Sequence, residues 1–174
     1  MRLDPATAEC RVFTYKEGLL SAVAHDLRLR VEHFTITLDD AAWRVDARFD
    51  ARSLRVAGVM RDGVLHPDEL GPDDRRTIEQ NVVREVLHAD RHPEIRFTSD
   101  AASADGDELR VRGTLVLHGV ERPLLVPVRR HADGAWCAEV SLHQPDFGIR
   151  PYRAMLGALR VRADVVVTLV VPPA

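Results

Sequence analysis

Lysine is nearly missing from this chain: Lys16 is the one lysine among 24 basic residues, and the rest are arginine. A GC-rich genome produces that bias, and it carries no functional weight. Cysteine is scarce too. Cys10 and Cys137 are too few for a disulfide framework and cannot make a zinc site alone; two reduced thiols are expected. An excess of positive charge is also lacking. The net charge over 174 residues is −3, so general nucleic-acid binding is not expected. No apolar run approaches the roughly 18 residues that span a bilayer, and the stretch Val165 to Val171 is far shorter. No apolar segment follows Met1-Arg2-Leu3-Asp4-Pro5, so no secretory leader and a cytoplasmic location are expected.

What is present is a globular composition, 45% apolar and 29% charged, of a length that fits one domain over residues 1–174. The dominant signal is alternation with period two, the mark of strands with one buried face. Leu27, Leu29 and Val31 alternate with Arg28, Arg30 and Glu32, and Phe34, Ile36 and Leu38 with Thr35, Thr37 and Asp39. The pattern returns at Trp43 to Phe49, Leu109 to Leu117, Trp136 to Leu142, and in a last strand from Leu159 to Leu169. Asp39-Asp40, Asp105-Gly106-Asp107 and Asp133-Gly134 suit hairpin loops. Helical spacing of Ile78, Val82, Val83, Val86 and Leu87 predicts a helix from about Asp74 to His88, behind the acidic start Gly71-Pro72-Asp73-Asp74. The stretch Ala57 to Gly71, with three glycines and a proline, reads as a loop.

Eight to ten amphipathic strands, mostly antiparallel, must bury one shared face. A closed barrel does so and removes open edges; a two-sheet sandwich is the alternative. A barrel of about eight strands is either filled by side chains or holds one small ligand, and periodicity does not choose between the two.

The landmarks then become recognisable. His92-Pro93-Glu94-Ile95-Arg96-Phe97-Thr98-Ser99 resembles a Tyr-Pro-x-Ile-x-Phe-x-Ser stretch. Gly113-Thr114-Leu115-Val116-Leu117-His118-Gly119-Val120, with Arg122-Pro123 after it, resembles a Gly-x-Leu-x-x-x-Gly-Val-x-x-Pro hairpin. Asp146-Phe147-Gly148-Ile149 is similar to an Asp-Phe-Gly-Ile segment. With Asp4-Pro5 at the start and the closing strand Leu159 to Val171, these pieces in this order resemble the YceI-like, or polyisoprenoid-binding, family. The resemblance implies an all-β, lipocalin-like antiparallel barrel of about eight strands with a helix near its mouth. It also implies a tunnel for isoprenoids, isoprenoid quinones or fatty-acyl compounds, and often a homodimer. Ala6-Thr7 stand where the family commonly has His-Ser, and Ala24-His25-Asp26-Leu27 and the long Ala57–Gly71 loop suggest a distinct subgroup. Many relatives are secreted.

His25-Asp26 invites a catalytic dyad, but His25 shares parity with Leu27 and Asp26 with Arg28. Neighbours on opposite faces form no dyad unless a bulge intervenes. An inward His25 is expected to meet a ligand head group or a buried backbone group. His88 and His92 have the i,i+4 spacing of two metal ligands, but Pro93 ends the helix and no third ligand is evident, so no metal is expected. Asp146-Phe147-Gly148 copies a kinase tripeptide with no phosphate loop ahead of it; Gly148 suits a turn or bulge. The ligand-lining set expected is His25, Leu27, Phe34, Trp43, Phe49, Phe97 and Trp136 from the strands, Ile78 and Val82 from the helix, and Phe147, Arg150, Tyr152 and Met155 from a loop beside the mouth. The leading expectation is a binding protein that needs no cofactor and takes a long apolar small molecule. The rivals are an enzyme using His25, and a filled-barrel interaction module.

Overall fold

The computed structural model describes residues 1–18, 25–39, 44–106 and 108–173. Trp43 lies outside the described residues, as do Ala24, Asp40 and Asp107. The main strands are β1 (Glu9–Thr14), β2 (Asp26–Val31), β3 (Phe34–Asp39), β4 (Arg44–Asp50), β5 (Leu54–Arg61), β6 (Glu94–Asp105), β7 (Glu108–Leu117), β8 (Val120–Arg130), β9 (Trp136–His143) and β10 (Asp164–Val171). Opposed residues in an antiparallel ladder share a face. Buried Leu29 stands opposite Val12 and Val56, and Val31 opposite Cys10 and Leu54. The same face continues through the pairs Phe34–Phe49, Ile36–Ala47, Ala47–Phe97 and Phe97–Leu115. Most of the inward set read from alternation forms the core cluster or packs against it; Leu109, Trp136 and Ala138 do not.

Segment by segment, the sheet is a ladder with β3 near one end and β2 near the other. Those two strands, however, are one piece of chain bent at Glu32-His33, and β4 and β5 are one piece bent at Ala51–Ser53. Together they form a single long hairpin. Hydrogen bonding runs on through the corner: the Asp50 N–H donates to the His33 carbonyl at 2.9 Å, and the Glu32 N–H to the Ser53 carbonyl at 3.1 Å. One half of the hairpin joins β6 through β4, and the other joins β1 through β2. The sheet curls round and meets itself. With each bent pair counted once, it is an antiparallel barrel of eight strands. Arg2–Leu3 adds a short pairing on β3.

Helix α1 spans Pro72–Asn81 and runs on as a π-helical turn, Val82–Val86. It begins before the expected Asp74, because Pro72 has its φ preset and lacks only an N–H that the first turn leaves unbonded anyway. Asp73 and Asp74 then sit in the first turn, where they complement the helix dipole. It ends before the expected His88, whose φ of 45° is left-handed. The wide turn, closed by the Leu87 N–H on the Val82 carbonyl at 2.9 Å, lets Val82, Val86 and Leu87 all pack on the core with Ile78. Among the described residues no helix is long and apolar enough to cross a membrane.

Two sequence expectations are corrected. Ala57 to Gly71 is not all loop: β5 reaches Arg61 and turns into a hairpin with Val64–His66. The signal was hidden by a bulge. Leu29 pairs with Val56 and Arg28 with Gly58, so Ala57 is extra and Val56 and Val59 both face inward, three residues apart. The last strand is likewise not continuous. Leu159–Val161 belongs to a separate three-stranded sheet with Arg153–Ala154 and Lys16–Glu17. Gln144 holds the break: its N–H donates to the Ala163 carbonyl at 2.9 Å, and its Nε2 to the Arg162 carbonyl at 3.0 Å.

Candidate functional site

The barrel interior is unevenly filled. Cys10, Leu29, Val31, Phe34, Ile36, Ala47, Phe97 and Leu115 are buried. Burial pushes the Cys10 thiol up to about 12, so it serves as an unreactive wall group. Across the barrel, Val12, Val140, Val165, Val167 and Leu169 share the inward face but stay only partly buried. Protein interiors pack as densely as organic crystals. These aliphatic side chains pack against the buried cluster and yet stay partly accessible, unlike the wall they face.

One end of the barrel is covered from two sides. Asn81, at the end of α1, donates from Nδ2 to the Tyr152 hydroxyl at 3.1 Å. Phe147 and Ile149, from the chain after β9, are buried in the core. Gly148 has a φ of 67° and makes the expected turn there. Three histidines meet behind it. His118 Nδ1 lies 3.1 Å from the Phe147 carbonyl and therefore carries the proton that it donates. Its Nε2, 2.9 Å away, is left to accept from His88 Nδ1–H. The His92 ring packs tilted against His118, with the ring centres 4.6 Å apart. Burial holds the His118 pKa below the ordinary histidine value against the pull of the Phe147 carbonyl, and the neighbouring His92 and His88 lower it further.

A third histidine near His88 and His92 was not expected. His118 comes from the β7–β8 turn, thirty residues away, where local spacing gives no signal. Both His118 nitrogens are engaged within the protein, and His92 adds a ring contact. Among the described residues, no group of three or more His, Cys, Asp or Glu is placed to hold a metal ion.

The dyad reading of His25-Asp26 fails on geometry. The Asp26 carboxylate accepts from the Lys16 N–H at 2.8 Å. His25 stands just ahead of β2, its Nδ1 3.8 Å from Glu69 Oε1, and Glu69 in turn accepts from Arg61 Nε at 2.9 Å. Leu27 is half-buried opposite Val59 and Thr14. Phe34 and Phe49 hold their rings 5.7 Å apart. Trp136 stands opposite Val171, with the Arg130 guanidinium 5.9 Å from its ring centre. Ile78 and Val82 meet the core from α1. The loop residues divide: Phe147 and Tyr152 reach the covered end, while Arg150 and Met155 face solvent. Met155 and its neighbour Leu156 have φ values of 50° and 56°. That left-handed backbone costs a side-chain-bearing residue roughly 1–2 kcal/mol.

An open groove of about 690 Å³ lies at the bend of the long hairpin, where Phe34 and Phe49 from the inward face meet Arg2, Asp4, His33 and Pro93. Its lining mixes both charge signs, and Asp50 there is already paired with Arg52.

A curled antiparallel barrel with an apolar interior and a covered mouth defines a lipocalin-like architecture. Within it, the model of the YceI-like domain matches residues 2–171, and the chain belongs to that family. No curated protein matches the chain in sequence. Among solved structures, it is similar to BcnA of Burkholderia cenocepacia, at 14% identity over 99% of both chains with a TM-score of 0.68. It is also similar to a polyisoprenoid binding domain from Saccharophagus degradans implicated in plant cell wall breakdown, at 13% identity over 99% of this chain and 97% of that one, TM-score 0.59. The YceI protein of Campylobacter jejuni matches at 15% identity over 72% and 73%, TM-score 0.50. At these identities the likeness is one of fold.

Proposed function

We propose that this protein binds, stores or carries a long apolar molecule inside the barrel: a polyisoprenoid, an isoprenoid quinone or a fatty-acyl compound. It works as a cytoplasmic binding protein, as a homodimer, and not as an enzyme. The carrying observation is the inward aliphatic wall of Val12, Val140, Val165, Val167 and Leu169, which the protein's own side chains leave partly uncovered. Membership of the YceI-like family and the described binding role of the Saccharophagus degradans domain support the same reading. Transfer from water contributes about 0.8 kcal/mol per CH₂, so an isoprene unit contributes about 4 kcal/mol before ordering costs. Few polar contacts are then needed. The 11 residues of β8 reach about 36 Å, room for several such units.

Native mass spectrometry of the purified protein, before and after organic extraction, tests the proposal. A removable apolar mass, regained on incubation with a long-chain prenyl quinone, is expected. A clean apo mass with no uptake of prenyl or fatty-acyl compounds would overturn it.

A further inference from the structure

We propose that the loop after β9 docks the barrel on an anionic phospholipid membrane, with Met155 and Leu156 entering the lipid interface and the surrounding arginines meeting headgroup phosphates. Met155 is 65% exposed and Leu156 wholly so. Val64, Leu125 and Met1, the other large apolar side chains most exposed among the described residues, stand singly along the chain. Met155 and Leu156 are adjacent, at the tip of a turn completed by Gly157, and the left-handed backbone at both holds them outward.

The charge around this tip differs from the rest of the molecule. Between Phe147 and Ala163 the chain carries Arg150, Arg153, Arg160 and Arg162 and no carboxylate, within a protein of net charge −3. On the barrel wall many arginines are matched by neighbours, as Arg30 is by Glu32 and Arg48 by Asp46, although Arg122 and Arg130 have no carboxylate partner among the described residues. The four loop arginines make no ion pair with a carboxylate among the described residues; Arg162 instead leans on the Tyr15 ring, and Arg160, half-buried, has its Nε enclosed without a partner. The nearest acidic residues along these strands are Asp146, Asp164 and Glu17; Asp164 is bonded to His143. Two protruding apolar side chains set among unmatched cations complement a surface that offers hydrocarbon below and phosphate above. A second copy of the chain fits less well, because a symmetric contact would set the same four arginines against themselves.

The docking deepens the carrier reading, since a molecule that moves lipid-soluble cargo must collect it from a bilayer. The covered end of the barrel and the tip belong to one stretch of chain: Tyr152, bonded to α1, is three residues from Met155.

Flotation with phosphatidylcholine vesicles, with and without phosphatidylglycerol, tests the docking. Binding that needs phosphatidylglycerol and falls steeply with salt is expected. Met155→Ser with Leu156→Ser, and separately Arg150→Glu with Arg153→Glu, are each expected to lower the bound fraction about tenfold. All four side chains are exposed, so melting temperatures should match the parent. Equal binding to pure phosphatidylcholine, no binding at low salt, or tip variants that float like the parent would overturn the docking. So would light scattering showing that the serine variant only splits a dimer. Prenyl-quinone uptake from detergent micelles is read in parallel. Uptake without vesicle binding sinks the docking alone, and no uptake sinks the carrier reading.

Discussion

The ring of Phe97 lies over Gly113, with its Cζ 2.7 Å from where a β-carbon on residue 113 would stand. The Thr98 carbonyl oxygen and Ser99 Cα crowd the same point at 2.3 and 2.8 Å. Backbone on two sides leaves little room for relaxation. Gly113→Ala is expected to destabilise the protein by about 1–3 kcal/mol, read as a lower urea midpoint at unchanged slope. An unchanged midpoint would show that Phe97 does not sit on that glycine.

Leu29 and Leu169 face the same interior from different walls, the first 1% exposed and the second only partly buried. Leu29→Ala should cost about 2–5 kcal/mol, as in a packed core. Leu169→Ala should cost less than half as much, because its neighbours already leave it uncovered. Equal losses in urea unfolding would mean a solid interior.

Val167→Trp puts bulk into the proposed cavity. Prenyl-quinone uptake should fall at least about tenfold with little change in melting temperature, since the added side chain enters free space. A large fall in melting temperature would instead mark an overpacked core.

His118 predicts a pH dependence. Its folded pKa lies below the ordinary 6.5. Between those two values the unfolded chain holds more protons, so stability rises with pH through that window and levels off above about 6.5. Melting temperature should therefore climb from mildly acidic to neutral pH. His118→Asn keeps a residue type that tolerates the left-handed turn, where φ is 54°, and should flatten the climb. An equal slope in the variant assigns the effect to other groups.

Much of the barrel was legible because inward and outward residues differ in kind. Leu29, Ile36 and Val111 announce their face, and neighbouring strands repeat the rhythm. β5 escaped because the bulge at Ala57 puts two inward valines three apart. The break before β10 escaped because the chain resumes at Val165 in the phase it left at Val161, so alternation runs through a gap held by Gln144. The histidine cluster joins residues from a post-helix turn and a distant hairpin, a juxtaposition that only the closed sheet creates. Arg150 and Met155 read as a ligand grip because their composition is amphipathic, but composition does not say which way a loop points.

Val56 has its N–H bonded by the Glu79 carboxylate at 2.9 Å and its carbonyl by Arg75 at 3.2 Å, both from α1. On this flank the stitches are two side chains instead of a neighbouring strand. The helix is held to the wall by those two side chains, by the apolar contacts of Ile78 and Val82 and by Asn81 on Tyr152, where a strand would use a row of backbone bonds. The Val56 amide should accordingly exchange with deuterium well before that of Leu29. A flank fastened this way is a seam that single side-chain substitutions can loosen.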